Sequence, residues 1–475
     1  MFEHKDNTRT VEKGNTENSI QREKQCRRHG LLQRNSPRKY ILQDIHEIIT
    51  NRLSELTNEA IPECQFGFRK GKSTLQAAEA LLHEIREALQ VPRGKYYAVF
   101  IDYAKAFDFI NRSKLMEKLE NLTGSNHLTG TIKEILKYNM VQINDGMSLS
   151  RDVRQTNGVM QGDPISPLLF NITTAEIRDR LNGATLIMYA DDMVIGSTNK
   201  EALQEALHNL EQWAKENEFK INKEKTVQMV FRKGGRIPAN ANLMLENEPL
   251  KIVNKFRYLG LSIQTTASSF NVHIQERTAS AVRAIYAIKN LSSLSLATAM
   301  KLFHTTITPV VTYGLEMIWD KLSISDMERI EKVKARFLKR ALGAGKSAPN
   351  RYMYLLARET YFIEDLRIEM TLPSNKSYNE VIAQRAEKQR GVDTRFFCTD
   401  AMIYRDWTKP NQQQRYAIIG LAIHGYHHKM CQNPRFHQPD EKCVCKYCIK
   451  ECDRYHVLEC KNRIGSLNDL IKDKL

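Results

Sequence analysis

No stretch of this chain approaches the roughly 20 consecutive apolar residues that a membrane-crossing helix needs, and its N-terminus lacks the apolar segment of a secretory signal. No membrane partner is expected. Internal repeats are absent, which argues against a stacked-repeat architecture. Acidic residues are in short supply: 55 Asp plus Glu face 71 Lys plus Arg, a net charge of +16 across 475 residues. That imbalance favours a polyanionic partner, of which nucleic acid is the commonest. Cysteine is sparse over most of the length. Cys26, Cys64, Cys398 and Cys431 are scattered, whereas Cys443, Cys445, Cys448, Cys452 and Cys460 crowd into the last 33 residues. Without a secretory signal, such a cluster points to a metal rather than to disulfides.

A chain of this length has room for two to four domains. Residues 1–40 are polar, carry ten Lys or Arg against five Asp or Glu, and show no apolar period; a poorly ordered basic arm is expected. Ile41, Ile45, Ile48, Ile49 and Leu53 follow helical spacing, as do Leu75, Ala78, Leu81, Leu82 and Ile85. Tyr96–Ile101 reads as a buried strand followed by a helix through Leu119, and another helix is expected over roughly 167–181. Residues 201–217 are helical, 221–262 alternate strands and turns, and 271–372 are mostly helical. Within the last stretch, Ile330, Val333, Phe337 and Ala341 form an apolar stripe flanked by Lys332, Arg336, Lys339 and Arg340. The mixture predicts an α+β class with a split antiparallel sheet packed on helices.

The segment LIMYADDMVIGS (186–197) sets two adjacent carboxylates, Asp191 and Asp192, between two short strands. Asp is a common turn residue, so a solvated hairpin tip is one reading; a divalent metal site is the other. Asp102, in VFIDYAKAFD (99–108), ends the buried strand 96–101. If that strand lies beside the hairpin, three carboxylates converge, and they suffice to hold two Mg²⁺ for phosphoryl transfer. Between them lies GVMQGDPISPLLFN (158–171), a loop-to-helix junction in which Gly158 and Gly162 permit close backbone approach and Pro164 and Pro167 fix the helix entry.

These three segments, in this order, resemble palm motifs A, B and C of reverse transcriptases. KINKEKTVQMVF (220–231) resembles motif D, FRYLGLSI (256–263) the primer grip and QFGFRKGKST (65–74) a fingers motif. TPVVTYGLEMIW (308–319) and the terminal cysteine cluster are similar to non-LTR (LINE-type) retrotransposon polymerases. The resemblance implies an RNA-directed DNA polymerase that adds dNTPs to a primer 3′-hydroxyl on an RNA template, with a DNA primer or target, using Mg²⁺ (or Mn²⁺) on Asp102, Asp191 and Asp192. It implies a sugar-facing aromatic at Phe107, which the sequence alone also reads as a core Phe. Gln161 would lie beside the incoming nucleotide, or else be a loop amide bonded to backbone. Lys225 would protonate the pyrophosphate, although a plain surface Lys looks the same. Arg69 is offered as a nucleotide contact and Tyr189 as packing under the primer end, while Asp108 and Asn111 read as capping or structural groups.

Cys445-x2-Cys448-x7-His456-x3-Cys460 has the ligands of a closed structural Zn²⁺ site; free cysteines are the alternative. The expected organisation is a basic arm (1–39), partial fingers (40–95), a right-hand polymerase palm (96–265), a helical thumb (266–372), a polar linker (373–440) and a zinc-knuckle-like segment (441–475). An arginine-bearing finger segment and an endonuclease are not recognisable, so an N-terminally truncated polymerase is expected. A catalytically inert nucleic-acid-binding derivative is the alternative. A nuclear location is expected for priming on chromosomal DNA, with the cytoplasm as the alternative.

Overall fold

The computed structural model describes residues 37–390, apart from 125, 143–145, 239 and 266–269. The expected basic arm up to residue 36 and the Cys445, Cys448, His456 and Cys460 cluster lie outside the described residues. The chain divides into two compact units between Lys255 and Phe256. Among the described residues no helix is long and apolar enough to cross a membrane.

The first unit opens with helices α1 (Pro37–Thr57) and α2 (Thr74–Gln90). α1 starts three residues before the expected Tyr40. In α2 the Ser73 hydroxyl accepts from the Gln76 amide at 3.2 Å, capping the N-terminus. Its apolar spacing then buries Ala77, Ala78, Leu81, Leu82, Ile85 and Leu89 along one stripe. Strand β1 (Lys95–Ile101) follows, buried at every residue after the first. Such a continuous apolar run belongs at the centre of a sheet, and that is where β1 lies. After α3 (Arg112–Thr123), α4 (Asn126–Lys137), the short strands β2 (Met140–Val141) and β3 (Val153–Arg154), and α5 (Ser166–Thr174), the hairpin β4 (Thr185–Tyr189) and β5 (Asp192–Ser197) joins the same sheet. Helix α6 (Lys200–Glu216), strand β6 (Val227–Arg232) and strand β7 (Lys251–Ile252) complete it.

The sheet order is β4-β5-β1-β6-β7. β1 pairs antiparallel with β5, Ile101 opposite Met193, and with β6, Phe100 opposite Val227. The edge pair β6–β7 is parallel, and Gln65 forms an isolated parallel bridge to Met188 on β4. α2 packs on β1 and β4, and α6 on β5. Buried aromatics Phe170, Trp213 and Phe219 fill the core around α5 and α6.

Helix α5 departs from the expected 167–181 span. It stops at Thr174, and a separate short helix covers Ile177–Arg180. The hydroxyls of Thr173 and Thr174 donate to the carbonyls of Leu169 and Phe170 at 2.8 and 3.1 Å. Such back-bonding competes with the helical ladder and bends it.

The loop before α5 is tied to the end of the motif A segment. Gly158 N donates to the Ile110 carbonyl at 2.8 Å, and Val159 N to the Phe107 carbonyl at 2.9 Å. Gly158 has φ +74°, and a Cβ there would sit 2.6 Å from the Asp108 carbonyl oxygen. Glycine is required twice over, by backbone conformation and by space. Gly162 also has positive φ, +89°, but open surroundings.

The second unit holds all but the first residue of hairpin strand β8 (Lys255–Tyr258), then β9 (Leu261–Gln264) and helices including α7 (Asn271–Ala287) and α8 (Ile324–Ala341). A capping box between Ser323 and Asp326 starts α8, and Ile330, Val333, Phe337 and Ala341 are all buried, as their spacing predicts. The expected polar linker is corrected at its start: Lys376–Arg390 forms helix α9. Its anchors are few. Tyr378 and Val381 are buried, and the Asn375 side chain accepts from the Tyr378 amide at 2.8 Å. Two anchors spaced three apart are too sparse to produce a readable apolar period.

Gly158→Ala is expected to lower unfolding free energy by about 2 kcal/mol or more, because a left-handed penalty of about 1–2 kcal/mol joins a backbone clash. Gly162→Ala should carry the conformational penalty alone. Urea denaturation compares them, and equal midpoints would contradict this account of the loop.

Candidate active site

Antiparallel pairing of β1 with β5 sets the site. Because Ile101 lies opposite Met193, the next residue of each strand end, Asp102 and Asp192, comes to the same edge of the sheet. Asp191 is held beside them by a two-residue turn: Tyr189 pairs with Asp192, leaving Ala190 and Asp191 as the connection. Ala190 takes φ +55°, a left-handed conformation that non-glycine residues adopt only at a cost.

That strained turn is clamped by the QFGF segment. The fully buried Gln65 accepts on Oε1 from both the Ala190 amide (3.0 Å) and the Gly67 amide (2.9 Å). The Met188 amide donates to the Cys64 carbonyl at 2.8 Å, and the Phe66 amide to the Met188 carbonyl at 2.7 Å. Gly67 must be glycine, since a Cβ would stand 2.3 Å from the Ala190 nitrogen. Asn171 on α5 closes the clamp by donating to the Gly67 carbonyl at 2.8 Å. Sequence reasoning missed Gln65, Gly67 and Asn171 as site-forming residues. The available signal was a Gln inside an otherwise apolar-aromatic run, QFGF.

The electrostatics follow from this crowding. Burial against the strand tips first, then the charges of Asp191 and Asp102, push the Asp192 carboxyl up from 3.8 to about 6. The residue as a whole still stands exposed, so solvent and a ligand can reach it. Lys225 brings its amine 3.6 Å from an Asp102 carboxylate oxygen. It arrives there because the Asn222 amide donates to the Asp102 carbonyl at 2.7 Å, fastening the 222–226 turn to the end of β1. Asp102, Asp191, Asp192 and Lys225 are thus brought together. Among the described residues no group of three acidic, His or Cys side chains is placed so as to hold a metal ion by itself. Any Mg²⁺ at these carboxylates would have to complete its shell with waters and substrate phosphates. Burial is the larger cause of the raised Asp192 carboxyl and the two neighbouring charges the smaller, and a cation bound there would oppose both.

The other expected residues divide. Phe107 is half-buried and stacks on Phe170, ring centres 4.8 Å apart and planes 19° from parallel, so one face is fixed by the core. Gln161 is exposed in the loop before α5. Asn111 caps α3, accepting from the Ser113 and Lys114 amides at 3.0 and 3.1 Å, while Asp108 is exposed. Tyr189 is half-buried, its ring 6.5 Å from the exposed Phe68. Arg69 is engaged within its own loop. Its guanidinium donates to the Pro62 carbonyl at 3.0 Å and to Glu63 at 3.1 Å, so its donors serve the loop that carries QFGF. His46 on α1 reaches the Asp163 carboxylate at 2.9 Å and steadies the loop from another side, a contact the sequence did not reveal.

The reverse transcriptase (RNA-dependent DNA polymerase) family matches residues 27–263, which contain every one of these groups. Residues 27–263 belong to the reverse transcriptase family. The chain is 29% identical over 315 residues to the probable RNA-directed DNA polymerase from transposon BS of Drosophila melanogaster, covering 62% of this chain and 34% of that protein. It is 26% identical over 320 residues to the RNA-directed DNA polymerase from mobile element jockey of the same fly, covering 63% and 34%. The chain therefore spans about a third of the length of these curated relatives. A telomerase structure from Candida tropicalis aligns over 77% of this chain and 61% of its own, with 15% identity and a TM-score of 0.36, too low to argue from.

Beyond the reverse transcriptase match, the second unit presents basic grooves. One, of about 740 Å³, is lined by Tyr286, Lys332, Arg336, Lys339, Arg340 and Lys346. Lys332 and Arg336 are exposed there, as the flank of α8 predicted, whereas Arg340 donates to the Ile288 carbonyl at 2.8 Å.

The raised Asp192 carboxyl has a consequence for stability. The folded chain binds this proton more tightly than the unfolded chain does, so its contribution is complete at low pH and is lost as pH rises through about 6. Without divalent metal near pH 8, Asp192→Asn is expected to melt above wild type by roughly 2–4 °C, with the exposure of the carboxyl discounted. The gap should narrow on acidification. Calorimetry in EDTA checks this; a variant that melts below wild type near pH 8 would contradict it.

Proposed function

We propose that this chain is an RNA-directed DNA polymerase of the non-LTR retrotransposon type, which adds dNTPs to a primer 3′-hydroxyl along an RNA template. The observation that carries the reading is the convergence of Asp102, Asp191 and Asp192 at one sheet edge within a reverse transcriptase match. In this reading the three carboxylates hold two Mg²⁺. Bound there, the ions would acidify the attacking hydroxyl and neutralise charge on the departing pyrophosphate.

The chain's own groups then have separable roles. Lys225 keeps its ammonium beside Asp102 and offers a proton to the leaving pyrophosphate. Phe107, with one face packed on Phe170, presents a rigid edge suited to excluding a ribose 2′-hydroxyl. Gln161 supplies an exposed amide on a loop fixed at Gly158 and Asp163. The basic grooves along α8 suit the phosphate backbone of a template–primer hybrid, so a salt-dependent affinity is expected. A structural Zn²⁺ on Cys445, Cys448, His456 and Cys460 is proposed from the ligand spacing alone.

Primer extension on an RNA template with Mg²⁺ and dNTPs tests the reading. Wild type should extend, and Asp191→Asn should lose at least 10³-fold in rate, roughly the loss expected when one charge-stabilising group goes, while hybrid affinity stays within about twofold. Hybrid binding without extension by wild type would mean an inert binder.

A further inference from the structure

The groove between α3, α4 and the β2–β3 ribbon takes no part in the chemistry above, yet it has the character of a binding site. A cavity of about 500 Å³ is lined by Arg112, Lys133, Lys137 and Arg154 among others, with Glu117 and Glu120 on the α3 wall. Beside it the β2–β3 ribbon is unusually apolar for exposed chain. Tyr138 is 69% exposed, Met140 46%, Val141 42% and Val153 53%. Met140 lies opposite Arg154 in the ribbon, and Val141 opposite Val153.

Arg112 makes the groove rigid. Its guanidinium donates to the Leu136 carbonyl at the end of α4, to the Gln155 carbonyl after β3 at 2.6 Å, and to the Gly158 carbonyl at 2.8 Å. A two-stranded ribbon is only marginally stable alone, so these bonds, with Gln155 N donating to the Asn139 carbonyl at 2.9 Å, hold it in place. One Arg112 terminal nitrogen remains buried without a partner. Burial first, and then the charge of Arg154, lower this guanidinium's pKa, so Arg112 and Arg154 lie close enough for their charges to interact at the groove.

We propose that this groove is an accessory site for single-stranded nucleic acid, with Arg154 and Lys133 taking backbone phosphates and Tyr138 stacking a base. Cations beside an exposed aromatic are the two elements that sequence-tolerant strand binding requires. The Tyr138 ring is already oriented, with the Lys137 amine 5.2 Å from its centre. A protein strand is the less suitable occupant, because strands of two residues each offer too short an edge for β-pairing. Since Arg112 links the groove to Gly158, an occupant there would also steady the loop that carries Gln161.

The test uses the full chain and an RNA oligonucleotide of about 12 nucleotides bearing 5-bromouridine. Ultraviolet crosslinking followed by peptide mass spectrometry should recover the peptide containing Tyr138. Arg154→Gln should reduce that crosslink severalfold and lower the slope of log affinity against log salt by about 0.7, one phosphate contact on a single strand. Tyr138→Ala should weaken oligonucleotide binding about tenfold and Tyr138→Phe should preserve it, with melting temperatures confirming the fold. Unchanged binding and slope in folded variants would overturn the proposal. So would a change in sedimentation of Tyr138→Ala with RNA affinity intact, which would make the face a protein interface. Extension by wild type on a template with a one-nucleotide overhang is scored separately. Its failure counts against the polymerase reading, whereas loss of the Tyr138 crosslink counts against this site alone.

Discussion

The register between β1 and β5 is the constraint on which the site depends. Placing Ile101 opposite Met193 delivers Asp102 and Asp192 to one edge, and a two-residue turn adds Asp191. A slip of one residue would point every side chain to the opposite face, burying carboxylates and exposing Val194 or Met193. The apolar run of β1, buried on both faces, therefore fixes the active geometry as a by-product of packing. Burial at the strand tips, and then the charges of Asp191 and Asp102, disfavour an ionised Asp192 in this arrangement. Apolar burial of the strands outweighs that cost, and a bound cation would reduce it.

Several ties converge on the same place from distant parts of the chain. Gln65 holds the strained Ala190 turn, Asn171 holds Gly67, and Asn222 holds the carbonyl of Asp102. Arg112 and His46 fix the two ends of the loop that precedes α5. Each is a bond between segments tens to more than a hundred residues apart. A site built from tips and loops gains its rigidity this way, since neither a hairpin tip nor a glycine-rich loop is rigid alone.

How much of this was legible in the sequence depended on the kind of signal. The strands at 96–101 and 186–195 announced themselves by apolar runs, and the carboxylates by their position at the run ends. α8 was readable from its apolar stripe. The clamps were not readable, because a buried Gln or a caged Arg carries no periodic signature; only three-dimensional proximity gives Gln65 its partners. Arg69 was similar. Its charge suggested a nucleotide contact, while its bonds to the nearby Pro62 carbonyl and Glu63 carried no signal. α9 escaped because its two buried anchors sit in a charged background, and the early end of α5 because threonines read as helix-compatible until their hydroxyls are seen to turn back.

The central proposal is that Asp102, Asp191 and Asp192 together bind the divalent cations, in a geometry set by the sheet register. Mn²⁺ titration followed by water-proton relaxation tests it directly, with the wild type beside Asp102→Asn. The account predicts enhanced relaxation that saturates in the wild type and falls by at least about tenfold in apparent affinity in the variant, since a lost charge-assisted ligand contributes about 1.5–3 kcal/mol. Equal Mn²⁺ binding by a correctly folded Asp102→Asn chain would contradict it.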